Sequence, residues 1–167
     1  MARAFVAVGS NIDPEKNVRL AIRMLGVAVR VSAISTVYET EPLDRPDQPR
    51  FYNCVVEIDT EFAVGKLKSS ALRGIEDRLG RVRTDDKYAP RTIDLDVLVF
   101  DDMPDATDTD VLTRPFLAVP LAELAPDLIV PGVEERAADI AARFGGHAMR
   151  ALPDYTLTLR KEITYGS

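Results

Sequence analysis

Two carboxylates two residues apart in an apolar run, with arginines just ahead of them, are the residues of this chain best placed to do chemistry. The run Thr92 to Phe100 reads TIDLDVLVF, and acid interrupts hydrocarbon at alternate positions. Apolar and β-branched residues with a period of two predict a strand. On it Ile93, Leu95, Val97 and Val99 share one face, and Asp94, Asp96, Leu98 and Phe100 share the other. Residues i and i+2 stand roughly 6.5–7 Å apart along a strand. The Asp94 and Asp96 carboxylates can therefore converge on one hard cation, or on a pair about 3.5–4 Å apart. Upstream lie Arg81, Arg83, Lys87 and Arg91, four cations in eleven residues, against Asp85 and Asp86. Guanidinium forks match phosphate oxygens. A carboxylate pair for Mg²⁺ beside an arginine-bearing loop is what phosphoryl transfer needs, because that chemistry is mostly charge neutralisation and in-line alignment. Either feature alone is ordinary surface; joined through Pro90-Arg91-Thr92 they form a candidate catalytic unit.

The rest of the chain must position these residues. Its 167 residues, 46% hydrophobic and 29% charged, are expected to form a single domain spanning 1–167 with one core. No apolar run approaches the roughly 20 residues of a membrane span, and MARAFVAVGSN is too short in apolar residues for a signal peptide. A cytoplasmic protein without membrane partners is expected. A net charge of −6 argues against nucleic acid as a partner. Cys54 is the only cysteine, so no intrachain disulfide can form, and a buried thiol is expected.

Ala4 to Val8 reads as a strand broken by Gly9-Ser10-Asn11. Val18, Ala21, Ile22 and Leu25 then recur at helical spacing behind Pro14. A strand is expected over Val27 to Tyr38, a loop over Glu39 to Arg50, and a strand over Phe51 to Thr60. In the last, Phe51, Asn53 and Val55 share a face, so an aromatic and an amide could meet a flat heterocycle. Val64 to Gly80 reads as a helix ending at glycine, on which Glu76 alone would be solvated. Asp101, Asp102, Asp105, Asp108 and Asp110 form an acidic turn segment, read as solvated surface with a secondary cation site as the alternative. Beyond residue 133, Glu134 to Phe144 reads as a helix, and Tyr155 to Ile163 alternates like an added strand that could pair within the chain or across a dimer.

GRVR followed by APRTIDLDVLVF is similar to the signature of the 6-hydroxymethyl-7,8-dihydropterin pyrophosphokinases of folate biosynthesis, with Ala89 where that family usually has glycine. Gly9-Ser10-Asn11 also has its counterpart there. The resemblance implies an α+β ferredoxin-like sandwich, a mainly antiparallel sheet with helices on one face. It implies ATP as co-substrate, Mg²⁺ as two ions, and a pterin pocket in which Thr40, Pro42, Leu43, Gln48, Phe51 and Asn53 match in order. RPFLAVPLAELAP resembles a second family stretch, making Phe116 the partner aromatic. By the same resemblance Glu76, Arg81, Arg91 and Arg114 attend the nucleotide, Arg81, Arg83, Arg91, Asp94 and Asp96 are catalytic, and Asp94 and Asp96 hold the metal.

The resemblance departs at a Pro-His segment that the family carries before that stretch and this chain lacks. An alternative alignment lays Thr113-Arg114-Pro115-Phe116 over it, with phenylalanine for histidine. The single histidine, His147, reads as a surface loop residue. Two other readings stand beside the enzyme: a non-catalytic pterin-binding sensing or assembly module of the same fold, and a nucleotidyltransferase built on Ser10 and Asp94. A monomer or a homodimer is compatible with all three.

Overall fold

The computed structural model of the chain describes residues 1–41, 47–82, 91–145 and 149–166, with 164–166 in backbone alone. Pro42, Leu43, Arg83 and His147 lie outside the described residues.

Strand β1 (Ala2–Ser10) holds the centre because its alternate residues are apolar on both faces. It pairs antiparallel with β4 (Phe51–Thr60) from Ala2↔Thr60 to Ser10↔Tyr52, and on its other edge with β5 (Asp94–Phe100). The far side of β4 is shared by β2 (Arg30–Ile34) and β3 (Tyr38–Thr40). At the break between them Ser35 donates its N–H to Val55 O and accepts the Val55 N–H on Oγ, at 2.9 and 2.8 Å. The expected strand over Val27 to Tyr38 therefore begins later, because α1 (Pro14–Ala28) runs on to Ala28.

The predicted faces of the carboxylate strand hold from Ile93 to Leu98 and then change. Phe5 pairs with Val99 and Val6 with Val97, so Leu98 is an extra residue opposite the β1 ladder. A bulge of this kind exchanges the two faces for every residue beyond it. Val99 joins the core of Phe5, Ala7 and Leu98, and Phe100 joins that of Ala4, Val6 and Val97, the reverse of the simple alternation.

One face of the sheet is covered by α1, through Val18, Ala21, Ile22 and Leu25, and by a helical run of α2 (Val64–Lys66), a π-helical turn (Leu67–Leu72) and α3 (Arg73–Arg78). This is the helical layer expected of the ferredoxin-like class. The opposite face carries a second layer that sequence reasoning did not anticipate: α4 (Pro115–Leu124) and α5 (Ala137–Ala142) bury Leu117, Leu121, Ala137 and Ile140 against Phe5, Val55 and Leu98.

Tyr155 to Ile163 is not a strand. It lies within α6 (Pro153–Gly166), which packs Tyr155, Leu159 and Ile163 on the α1 face of the core. Proline opens the helix at its first position, where its missing N–H is harmless. The threonines that suggested a strand satisfy their hydroxyls within the helix, Thr156 donating to Leu152 O at 2.8 Å and Thr158 to Asp154 O at 3.1 Å. The added strand does exist as β6 (Arg150–Ala151), two residues just ahead of α6, paired with β3 within the chain. No helix among the described residues is long and apolar enough to cross a membrane.

Candidate active site

The site forms where β1 ends between its two neighbours. Gly9 pairs with Asn53 on β4 and with Asp94 on β5, so the amide strand and the carboxylate strand open on either side of one glycine. A cavity of about 270 Å³ is lined there by Thr40, Phe51 and Asn53, by Arg91, Asp94 and Asp96, and by Arg114, Phe116 and Leu117 at the start of α4. Asp108 and Asp110 complete its wall. Its size is at the small end of ligand cavities, and its mixture of apolar wall and a few polar groups is typical of them. A second, more open cavity lies beyond the carboxylates, lined by Lys68, Arg73, Glu76, Arg81, Thr107 and Asp108. Asp94 and Asp96 line both cavities.

On the amide side, Thr40 and Asn53 are buried, and Asn53 Nδ2 donates to Thr40 Oγ1 at 2.7 Å. That bond fixes which way the Asn53 amide points and leaves its Oδ1 beside Gly9, where a Cβ would stand only 2.8 Å away.

On the carboxylate side, helix termination does the positioning. Gly80 takes φ +79, a conformation glycine adopts freely, and donates to Asp77 O while the Arg81 N–H donates to Glu76 O at 3.1 Å. Arg81 is thereby turned back onto its own helix. Its Nη1 donates to Glu76 Oε2 and, at 2.9 Å, to Asp94 Oδ1. Arg91 Nη1 donates to Asp94 Oδ2 at 2.6 Å. Glu76, only 6% exposed, also accepts the Leu95 N–H at 3.0 Å, so it ties α3 to β5 rather than facing solvent.

Asp96 is treated differently from Asp94. It has no ion-pair partner among the described residues, and its pKa is pushed up to about 7. Asp96 keeps contact with solvent where the two cavities meet, yet the protein packed around it withdraws enough water to contribute most to this shift, followed by the charge of Asp94 and its hydrogen bond, then by Glu76 and Asp108. A crowded carboxylate with no cation of its own is a group that a proton or a metal ion would relieve. Among the described residues no group of three or more His, Cys, Asp and Glu is arranged to hold a metal. The pair Asp94 and Asp96 can supply carboxylate oxygens to a hard cation, which commonly takes the rest from substrate phosphates and water.

Eight of the residues singled out in the sequence thus line the first cavity: Thr40, Phe51, Asn53, Arg91, Asp94, Asp96, Arg114 and Phe116. Glu76 and Arg81 line the second, whereas Arg91 and Arg114, expected with the nucleotide group, lie in the first. Gln48 lines neither and is held instead by Asn11. Lys68, Arg73, Asp108 and Asp110 were not anticipated. The first two stand in and just after a π-helical turn, which residue spacing does not announce, and the acidic pair comes from a turn that reads as solvated. Asp108 is drawn in because its N–H donates to Leu98 O at 2.9 Å, lashing the turn to β5.

An α+β ferredoxin-like sheet with carboxylates and arginines at its strand ends, beside an aromatic-lined cavity, defines a phosphoryl-transfer class of protein acting on a flat ligand. Comparison with known proteins makes the assignment particular. The family model for 7,8-dihydro-6-hydroxymethylpterin-pyrophosphokinase matches residues 5–126, and the chain belongs to that family. It is 40% identical over 138 residues to the 2-amino-4-hydroxy-6-hydroxymethyldihydropteridine pyrophosphokinase of Pseudomonas aeruginosa, covering 77% of this chain and 84% of that one. The enzyme of the same name from Methylorubrum extorquens is 40% identical over 147 residues, 83% of this chain and 92% of that one. Among solved structures, the HPPK-DHPS of Plasmodium falciparum superposes with a TM-score of 0.62 over 86% of this chain at 13% identity. This chain spans 44% of that protein, and the likeness concerns the fold alone.

Proposed function

We propose that this chain transfers the β,γ-pyrophosphoryl group of ATP to the hydroxymethyl oxygen of 6-hydroxymethyl-7,8-dihydropterin, releasing AMP. The observation that carries the reading is the position of Asp94 and Asp96 on the wall shared by two cavities, the first bearing the aromatic side chains Phe51 and Phe116 among polar groups and the second bearing Lys68, Arg73 and Arg81 among acids. A reaction joining a flat alcohol to a polyphosphate needs its reacting atoms at such a boundary.

Phe51 and Phe116 hold the pterin ring in the first cavity and Asn53, oriented by Thr40, reads its polar edge. Pro42 and Leu43 belong to the same pterin-binding set by family resemblance, as Arg83 belongs to the catalytic set. The nucleotide phosphates lie toward Arg81 in the second cavity, and Arg91 and Arg114 reach them from the first. Asp94 and Asp96 are the residues that would hold Mg²⁺, as two ions, and the metal would supply charge neutralisation on the phosphate oxygens and a more acidic alcohol. The hydroxymethyl oxygen forms a bond to the β-phosphorus, the bond from that phosphorus to the α-phosphate oxygen breaks, and the alcohol proton passes to solvent. Arg91 and Arg81, whose guanidinium groups meet at Asp94, stand where they would neutralise the charge that moves onto the leaving AMP.

The nucleotidyltransferase reading rested on Ser10 acting with Asp94. Those residues are neighbours in space, since Gly9 pairs with Asp94. The Ser10 hydroxyl, however, is buried and donates to Ile12 O at 3.1 Å, so it is not directed at a substrate. The non-catalytic reading is separated by assay. AMP formation is measured from ATP and Mg²⁺ with and without the pterin, with the product mass recorded. Pterin-dependent AMP and a diphosphorylated pterin are expected; pterin binding without AMP would replace the enzyme with the sensing module.

A further inference from the structure

We infer that Lys68 and Arg73 are donor-selecting residues, brought side by side by a π-helical turn so that together they take the α-phosphate of the nucleotide in the second cavity. The inference rests on the function proposed above and adds two residues to it that no motif assigned. Both side chains are exposed and both line that cavity. Among the described residues neither has a hydrogen-bond or ion-pair partner. In an α-helix, residues five apart are turned by about 140° from one another and face different sides. The run Leu67–Leu72 is π-helical instead, and the Arg73 N–H donates to Lys68 O, so residue 73 stands one wide turn beyond residue 68. The neighbouring pair at the same spacing bears this out, since Leu67 and Leu72 are both buried in one core. A single π turn is uncommon within a helix and is frequent at functional sites.

The charges of the second cavity decide what this pair can hold. Its other cation, Arg81, is engaged by Glu76 and Asp94, and the turn that completes the wall brings the acids Asp105 and Asp108. Lys68 and Arg73 are therefore the cations of this cavity whose charge is open to a ligand. An ammonium and a guanidinium on one face suit the oxygens of a phosphate group. In the proposed transfer the β-phosphorus lies at Asp94 and Asp96, on the wall shared with the first cavity, and the pyrophosphoryl group leaves toward the pterin. The α-phosphate and its nucleoside stay on the side of the second cavity. Lys68 and Arg73 thus grip the part of the donor that becomes AMP, in the substrate and in the product alike. Binding that is equal before and after reaction sets affinity and KM, and leaves kcat to the groups at the β-phosphorus.

The test measures the affinity of AMP, of inorganic pyrophosphate and of α,β-methylene ATP with Mg²⁺ by calorimetry. It compares the unaltered chain with the double variant Lys68→Met, Arg73→Met. The control is Lys66→Met, Arg78→Met, which removes the same charge from the same helical run at exposed residues that line neither cavity. An exposed ion pair is worth about threefold in affinity, so the first double variant is expected to bind AMP and the analogue about tenfold more weakly. KM for ATP should rise by the same factor while kcat changes less than about threefold. Pyrophosphate and pterin affinity should stay unchanged, and the exchange Lys68→Arg, Arg73→Lys should restore AMP binding. An equal loss in the control variant would assign the effect to the general field of the helix and overturn the inference. Unaltered AMP affinity, or a loss confined to pyrophosphate, overturns it as well. If the double variant binds AMP normally while the unaltered chain makes diphosphorylated pterin, the inference alone falls. A chain that binds no nucleotide and forms no AMP overturns the proposed function and the inference together.

Discussion

The side-chain oxygen of Asn53 occupies the space that a Cβ on Gly9 would need, the two being 2.8 Å apart across the β1–β4 ladder. Asn53 cannot simply swing away, since its Nδ2 is bonded to Thr40 at 2.7 Å. Forcing an extra carbon into a fitted site costs about 1–3 kcal/mol, and here the group that must yield is the one proposed to read the pterin edge. Gly9→Ala is therefore expected to weaken pterin affinity about tenfold, with a smaller effect on the denaturation midpoint and none on nucleotide affinity. Calorimetry against each ligand checks this; pterin affinity equal to that of the unaltered chain would show that Asn53 does not read the ring.

Asp96 gives the sharpest test of the carboxylate pair. Removing a group that stabilises charge at the reacting centre typically lowers turnover about 10²–10³-fold. Asp96→Asn is expected to lose at least that much while still binding pterin, because Asp96 stands at the end of the cavity nearest the second one and makes no bond to Thr40 or Asn53. Loss of pterin binding together with turnover would place the defect in folding of the cavity instead.

The same residue makes stability depend on pH. Its folded-state pKa of about 7 lies above the ordinary value of 3.8, raised first by partial loss of surrounding water, although the residue still meets solvent, and next by the charge of Asp94. Between those values the folded chain holds a proton that the unfolded chain has released, so stability must fall as pH rises through the window. The metal-free protein is expected to melt at progressively lower temperature from about pH 4 to about pH 7, with Asp96→Asn flattening that slope. Asp108→Asn should move the steep part of the curve to lower pH, since the Asp108 charge is one cause of the shift. A wild-type slope equal to that of Asp96→Asn would remove the perturbation.

How much of this was legible in the sequence depends on the kind of rule each residue obeys. Asp94 and Asp96 were placed correctly because a period of two survives any packing, as far as Leu98. Val99 and Phe100 were exchanged because a bulge is set by the partner strand and leaves no mark on the bulged one. Glu76 would have been called solvated from helix periodicity alone, and only the family pattern put it near the nucleotide. The structure gives the reason, since its carboxylate accepts the Leu95 N–H from another element. Cys54 was read as a buried thiol, and burial does push it up to about 12. Asn11 carries no periodic signal, and its three partners come from positions 48, 49 and 91, brought together only by the sheet.

The C-terminal segment turns on a distinction that mutation can read directly. In a strand, Leu157 and Leu159 would point to the same face and contribute alike. In α6 they stand on opposite sides: Leu159 is 1% exposed within the core, and Leu157 is 51% exposed. Truncating a buried leucine leaves a cavity and typically costs about 2–5 kcal/mol, whereas an exposed one changes stability by about 0.5 kcal/mol or less. Leu159→Ala is thus expected to lower the urea midpoint strongly and Leu157→Ala hardly at all. Both variants should retain wild-type kcat when folded, because α6 packs on the α1 side of the sheet and lines neither cavity. Equal losses from the two substitutions would restore the strand.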